Sequence, residues 1–570
     1  MQMLSVAFIF PFLSVASNPQ IIYENHYLNL IYNYLNFQDQ RSFLILFGGI
    51  LLIIFLVANL VGALFTWRSH HFTWSVNHEL SVRLIENYLS RDYAFFTQSN
   101  SSDLQKNIQT EINEVTSFVL NPILSILDRG VSLLMVITML MLINPYAALL
   151  IGGLFGFIYY SIYYLAKNAL NRIGLDSLED REAKYRSANE IFGAIKIAKI
   201  YNIESFFISR FIKGSKRLSK NQTIRMTVSQ LPRYAIEAVA FTIMIGIGIY
   251  IIGIKSNFVE AIPILGLYVV AAYRLLPWMQ QLYTGYSILR SQTPHIYYLQ
   301  KEFENIELYA SEKDNSHNEK KDRRPFYDSS VIEFQDVSFS YAKAKNATID
   351  DMSFTIDENT TVGFLGETGS GKTTTIDLLL GLYFPQKGSI FIQGELLTRA
   401  NVKSWQKIIG YVPQDIYLAD SSIMENIAFG INRDEISIAQ VRKVASLANI
   451  DHFIEEELVD QYETIVGERG VRLSGGQRQR IGIARALYRE PDILVFDEAT
   501  SSLDIETEKS VMTAIEKLTH KKTIIIIAHR LSTLENCDVI IKLDKGRIIE
   551  TGTFEEVVRK DSNHKVTALS

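Results

Sequence analysis

The residues with the clearest chemical potential lie in the second half of the chain. Gly366-Glu367-Thr368-Gly369-Ser370-Gly371-Lys372-Thr373 fits the phosphate-binding pattern G-x-x-x-x-G-K-[ST]. The glycines let the backbone curl so that its N–H groups point at phosphate, and a helix N-terminus behind the loop adds partial positive charge. The pattern predicts that Lys372 reaches the β and γ phosphates of ATP, that the Thr373 hydroxyl holds Mg2+, and that Thr374 continues the binding run. Further on, Asp492-Ile493-Leu494-Val495-Phe496-Asp497-Glu498 is an apolar strand ending in two carboxylates. Asp497 would position Mg2+, and Glu498, one residue beyond it, is the expected general base for an attacking water. Between these two elements lies Leu473-Ser474-Gly475-Gly476-Gln477, which offers a hydroxyl and backbone N–H groups to an anion. Each string has a plainer alternative: a Gly-rich turn, an acidic strand end, a polar turn. Their order and context favour the chemistry.

Those residues need elements to hold them. Val331–Tyr341, Thr361–Leu365, Ser389–Ile392, Ile408–Val412, Ile493–Phe496 and Thr523–Ala528 read as strands, with helical stretches between them, at Thr374–Leu380 and Arg478–Tyr488 among others. The Ile493 and Ile524 runs are continuously apolar, as buried strands of a parallel sheet are. This half is α/β.

The first half is different. A membrane-crossing helix needs roughly 20 mostly apolar residues. Ser42 to Trp67 and Pro145 to Ala166 carry no charge. Val115–Ile143 carries only Asp128 and Arg129, Leu231–Ile254 only Arg233 and Glu237, and Ala261–Leu282 only Arg274. Met1 to Ala16 is a short further span. Two readings of it are open: a signal peptide, or a first membrane helix whose beginning is missing. The absent positive n-region favours the second. Lysines and arginines crowd Asn171–Gln230, whereas the loops at Asn144 and Lys255–Glu260 are tiny. The positive-inside rule therefore places the basic segment, Arg68–Glu114 and everything after the last span in the cytoplasm. The two long cytoplasmic segments read as extensions of the membrane helices. Lys301–Ser330 is dense in charge and reads as a solvated linker. The expected organisation is thus an α-helical membrane domain of six spans, the first apparently truncated, over 1–300, a charged linker over 301–330, and an α/β P-loop ATPase domain over 331–570.

Composition agrees. Hydrophobic residues make up 48% of the 570 and mean hydropathy is +0.09, high for a wholly soluble chain. A net charge of −5 gives no case for nucleic acid. The one cysteine, Cys537, excludes an internal disulfide and a Cys-cluster metal site.

The phosphate loop, Leu473–Gln477 and Asp497-Glu498, in that order, resemble the ABC ATPase family. The resemblance extends to further positions. Tyr341 matches the aromatic residue that stacks on adenine. Gln414 in Val412-Pro413-Gln414 matches the glutamine that senses Mg2+ and the γ-phosphate. Asp504 closes Ser501-Ser502-Leu503-Asp504, which is similar to the loop joining two ATP sites, with Ser502 where Ala is more usual. His529 in Ala528-His529-Arg530 matches the γ-phosphate histidine, and Thr464–Gly470 resembles the segment by which exporters touch their coupling helices. In this family each ATP lies between the P-loop of one ATPase domain and the Leu-Ser-Gly-Gly-Gln of another. One intact set per chain implies a homodimer.

Membrane spans ahead of an ATPase domain on one chain resemble exporters, which implies a multi-pass protein of the cytoplasmic (inner) membrane. Coupling helices are expected near Asp92–Leu104 and Ile203–Phe211. Intramembrane arginines are costly and need partners. Arg129 has Asp128 beside it and Arg233 has Glu237 one turn on, so structural pairing and substrate contact are both open for these two. Arg274 has no acidic residue within a turn, which suits a cavity facing an anionic head such as a pyrophosphate. Pro11-Phe12-Leu13, Leu231-Pro232-Arg233-Tyr234 and Tyr273-Arg274-Leu275-Leu276-Pro277 are similar to strings of bacterial lipid-linked-oligosaccharide flippases. Gln281 stands where those flippases carry a basic residue. The implied function is ATP-driven translocation of an amphipathic, pyrophosphate-linked lipid across the bilayer. The alternatives are an exporter of another lipid, a drug or a peptide. A soluble nucleic-acid-repair ATPase conflicts with the charge-free span, and a regulator or channel conflicts with the retention of Glu498, Gln414 and His529.

Overall fold

The computed structural model describes residues 9–17, 19–34, 37, 39–143, 145–254, 262–317, 331–342, 344, 346–498, 513, 519–528 and 530–559. Asp504, His529 and the side chain of Arg274 lie outside the described residues. The chain divides into two compact units, Met1–Arg91 with Phe95–Ser311, and Asp92–Ala94 with Glu312–Ser570.

The first unit is helical. Short helices Ile9–Ser17 and His26–Tyr34 precede Gln40–Ser90, whose 51 residues begin at the N-cap Asp39. At 1.5 Å per residue that helix is about 75 Å long, more than twice the ~30 Å of a bilayer core. A helical run from Ser101 to Ile143, Pro145–Gly193, Glu204–Ile254 and Ile262–His317 follow. The last continues into the charged stretch that starts at Lys301. Among the described residues, Gln40–Ser90 and Ser101–Met139 are long and apolar enough to cross a membrane. Only 6% of the most apolar window of the first is buried, so its apolar surface is not a protein core.

The second helix pair shows one displacement from expectation. A separate short helix lies at Ile195–Tyr201, ahead of Ile203–Phe211. Asn202 ends it in the left-handed region (φ 54°), a conformation asparagine tolerates better than most residues. The residues of 203–211 mostly belong to the start of Glu204–Ile254 instead.

Away from the apolar stretches, the helices of this unit are joined by polar groups. His295 and Glu111 are both fully buried and meet at 2.7 Å. Glu114 accepts from Gln292 and pairs with Arg181, each at 2.7 Å. Two π-helical turns, Asn107–Glu111 and Thr116–Leu120, sit in the same run.

The second unit is α/β. Its strands are β1 (Ile332–Phe339), β2 (Ile349–Ile356), β3 (Thr361–Leu365), β4 (Lys387–Ile392), β5 (Glu395–Leu396), β6 (Ile409–Val412), β7 (Ile493–Asp497), β8 (Thr523–Ile527), β9 (Val539–Asp544) and β10 (Arg547–Gly552). One antiparallel sheet has the order β2-β1-β4-β5, and the other has β10-β9-β3-β8-β7-β6. In the second sheet β9, β3, β8, β7 and β6 run parallel. Its centre is buried throughout: β7 and β8 expose no residue. Two cores result. One packs the inner faces of both sheets around Phe334, Phe364 and Trp405; the other lies under the helices Ile438–Leu447 and Gly475–Tyr488.

Candidate nucleotide site

In a parallel sheet all strands end on one edge, and ligands collect there. The phosphate loop follows β3, the two carboxylates end β7, and Gln414 lies just beyond β6. The strand order β3-β8-β7-β6 therefore gathers residues that are far apart in sequence.

The loop closes on itself. Lys372 Nζ donates to the carbonyls of Gly366 (2.6 Å) and Glu367 (3.0 Å). Gly371 is the N-cap of the helix Lys372–Leu379 at φ 104°, and a Cβ there would lie 2.8 Å from Ile349. No side chain caps that helix, so its first N–H groups stay open to an anion. Ser370 Oγ is buried with no hydrogen-bond partner among the described residues. An orphaned hydroxyl beside uncapped amides is what a phosphate would satisfy. Thr373 is exposed at the loop, where its hydroxyl is accessible to a cation.

The opposite wall is acidic. Asp497 is 5% exposed; burial, and then the Glu498 charge, push it above the usual carboxylate range. Glu498 has φ 51°, and its N–H donates to Ile527 O at 3.0 Å, fixing it to the end of β8. Its carboxylate accepts from Gln414 Nε2 at 2.6 Å. Burial lowers the Lys372 ammonium from the usual lysine range, opposed by Glu498 and Asp497. Lysine, carboxylates and glutamine thus form one electrostatic unit.

Tyr341 stands at the rim, 36% exposed. Its hydroxyl shares a hydrogen bond with Thr374 Oγ1 at 3.0 Å, and its ring meets Tyr383 edge-on at 5.4 Å. Leu473–Gln477 opens the helix Gly475–Tyr488, and here the chain supplies a capping box. Ser474 Oγ accepts from Gln477 N, and Gln477 Oε1 accepts from Ser474 N at 2.8 Å. Gln477 Oε1 is thereby spent on the helix, while its Nε2 group and the Gly475 and Gly476 amides remain as donors.

Two residues of the site escaped the sequence reading. Tyr411 donates to Asp497 Oδ2 at 3.3 Å. Asp377, on the P-loop helix, is pushed up to about 6 by burial and then by the Asp497 charge. The available signal was one acid in the apolar helical run Thr374–Leu380.

Residues 349–501 match the ABC transporter family, and residues 4–273 match the ABC transporter transmembrane region. Over 532 residues the chain is 30% identical to the heterocyst differentiation ATP-binding protein HepA of Nostoc sp., covering 89% of this chain and 82% of HepA. Over 234 residues it is 42% identical to the ATP-dependent lipid A-core flippase of Alkalilimnicola ehrlichii, covering 41% of this chain and 39% of the flippase. The chain spans less than half the length of that protein and of some other curated relatives it matches. A solved structure of a bacterial Atm1-family ABC exporter with ATP bound shares the fold, with a TM-score of 0.71 at 24% identity over 98% of this chain and 94% of that one. The chain belongs to the ABC transporter family. Within that family, a transmembrane region ahead of an ATPase domain on one chain makes it an exporter-type transporter.

Proposed function

We propose that this protein is an ATP hydrolase coupled to transport, which moves a lipid-linked oligosaccharide from the inner to the outer leaflet of the cytoplasmic membrane as a homodimer with six spans per chain. The ATPase domain would face the cytoplasm, because lysines and arginines crowd 171–230.

The observation that carries the ATPase reading is Gln414 held on Glu498 at 2.6 Å, beside the Asp497 that faces Lys372. Residues 366–374 bind the phosphates, with the Lys372 ammonium turning from two backbone carbonyls to charged oxygens. Tyr341 stacks on adenine. Glu498 takes the proton of the attacking water, with Gln414 holding its carboxylate and His529 beside the γ-phosphate. Mg2+, held by Thr373, Gln414 and Asp497, supplies charge neutralisation when bound. Ser474, Gly475, Gly476 and Gln477 serve the nucleotide of a second copy, Asp504 lies on the link between the two sites, and each chain completes its partner.

For the cargo, a relative bears the name of a lipid A-core flippase, which supports an amphipathic lipid. That name also favours the second reading, an exporter of a different glycolipid. Of the three intramembrane arginines, Arg233 pairs with Glu237 at 2.7 Å and Arg129 with Asp128 at 3.3 Å. Arg274 is assigned to the charged head. Proteoliposomes containing a fluorescent lipid-pyrophosphate oligosaccharide test this. Wild-type protein should translocate it under ATP, and Arg274→Ala should reduce flipping and substrate-stimulated ATPase while sparing basal ATPase and thermal stability. Failure of the wild-type protein to move the lipid rejects the cargo. Parallel loss of stability and all activities in Arg274→Ala makes that residue structural.

A further inference from the structure

We propose that a cavity between helices Gln40–Ser90 and Asn121–Ile143 is a sugar-binding subsite, which takes glycosyl hydroxyls of the cargo and rejects its phosphates. The proposal deepens the glycolipid reading above and rests on it for its place in transport.

The cavity has a volume of about 380 Å³, within the ~300–1,000 Å³ of small-molecule sites. Asn59, Phe65 and Thr66 line it from one helix, and Asp128, Arg129 and Ser132 from the other. Both walls belong to the apolar stretches of their helices, 42–67 and 115–143. The space exists because the first helix presents Ala58 and Gly62 there, side chains too small to fill it. Opposite them stands an ion pair, Arg129 Nε to Asp128 Oδ2 at 3.3 Å, with the side chains 24% and 28% exposed. A charged pair at membrane depth is expensive, and such residues characteristically mark substrate pathways. Each side chain keeps part of its surface open, and both line the cavity.

Hydrogen-bond accounting selects the ligand. Thr66 Oγ1 donates to Gly62 O at 2.9 Å, so its hydroxyl proton is spent on its own helix and its oxygen remains an acceptor. Asn59 Nδ2 donates to Phe55 O at 2.8 Å, which leaves its carbonyl oxygen and one N–H. With the Asp128 carboxylate, the walls are rich in acceptors, and the Arg129 charge is already neutralised. A phosphate brings only acceptors and negative charge, so it meets Asp128 with repulsion. Sugar hydroxyls both donate and accept, and so can satisfy Asp128, Thr66 and Arg129 together. Phe65 adds an apolar ring at the edge of the cavity for the C–H face of a sugar.

The test uses full-length protein in lipid nanodiscs and two probes: an alkyl disaccharide without phosphate, and farnesyl pyrophosphate without sugar. Saturable binding of the disaccharide to wild-type protein is expected. Asp128→Asn should weaken it about tenfold or more, the usual consequence of losing a charged hydrogen-bond acceptor. Farnesyl pyrophosphate should bind Asp128→Asn as well as wild type, or better. Thr66→Val, which keeps the shape of an exposed side chain, should weaken the disaccharide several-fold, and it carries the test if Asp128→Asn fails to fold. Basal ATPase should be unchanged in both. No saturable disaccharide binding, or equal binding in wild type and variants, overturns the subsite. If the alkyl disaccharide depends on Asp128 and Thr66 while the lipid-pyrophosphate oligosaccharide is not transported, the subsite stands and the cargo assignment falls.

Discussion

Replacing Glu498 by Gln isolates the proposed proton transfer. Glutamine has the same length and keeps an acceptor oxygen, so the 2.6 Å bond from Gln414 can persist. The backbone bond to Ile527 does not involve the side chain. The left-handed φ of 51° is equally awkward for both residues. The fold should therefore hold, and the melting temperature should change little. Electrostatics favours the variant slightly, since the Glu498 charge is one cause of the raised Asp497. Removing it brings no new repulsion to an incoming phosphate. What is lost is the base. Positioned general bases contribute about 10²–10⁴ in rate, or ~3–5 kcal/mol of barrier. We expect steady-state ATPase to fall by that range, while binding of a fluorescent ATP analogue stays equal or tightens. A coupled phosphate-release assay on the purified protein, beside a nucleotide titration, reads both quantities. Wild-type turnover in Glu498→Gln would remove Glu498 as the base. Equal loss of binding and turnover would make it a structural residue.

Two further substitutions probe the surroundings. In Gly482→Ala a Cβ would lie 2.5 Å from Ile416 Cδ1, so the overpacking cost of ~1–3 kcal/mol should outweigh the ~1 kcal/mol gained in helix propensity. A lower melting temperature and a lower ATPase rate are expected, because Ile416 lies two residues past Gln414; a higher melting temperature would show that Ile416 yields freely. Asp377 titrates at about 6, above its unfolded value, so its contribution to stability is full below the ordinary aspartate pKa of ~3.9 and is lost as pH rises through 6. Asp377→Asn should thus raise the melting temperature relative to wild type more at pH 8 than at pH 5, and a pH-independent difference would contradict the buried-carboxyl account.

The candidate site was legible in the sequence because the P-loop and the β7 carboxylates are contiguous strings whose flanking elements are strongly patterned. The strands read from apolar runs, β3, β6, β7 and β8, all appear within a residue or two. The missed strands explain themselves. β2 carries Asp350 and Asp351 and alternates buried with exposed positions, and β9 and β10 mix isoleucines with Lys542, Asp544, Arg547 and Glu550. β2 and β10 pair antiparallel and are partly exposed, and β9, though parallel to β3 and mostly buried, is broken by charge, so hydrophobic run length does not detect them. Tyr411 and Asp377 were invisible for another reason. Their roles depend on adjacency across the sheet, Tyr411 at the end of β6 beside β7, and only the strand order reveals that. The S-x-x-Q spacing of Ser474 and Gln477 was a readable capping signal, overshadowed by the anion-binding reading of the same residues.

The helix that begins at Ser474 and the segment that follows Gln414 form one mechanical piece. Arg485 Nε donates to Asn426 O at 2.8 Å, and its two terminal nitrogens reach Tyr417 O (2.7 Å) and Asn426 Oδ1 (3.2 Å). The guanidinium lies over the Phe429 ring at 4.7 Å, and burial lowers its pKa to about 10. Asn426 is itself fully buried, accepting from Ala419 N at 2.9 Å and donating to Ala419 O at 3.0 Å. Breaking such a network leaves buried donors and acceptors unpaired, at roughly 1–3 kcal/mol each. A displacement of the Gly475–Tyr488 helix therefore carries residues 417–426 with it more cheaply than it separates from them. Gln414 holds Glu498 and stands three residues before Tyr417. In the proposed dimer, the helix N-terminus serves one nucleotide and Gln414 the other. Closure on the first would then be felt at the carboxylate proposed to deprotonate the attacking water at the second, through hydrogen bonds within a single chain.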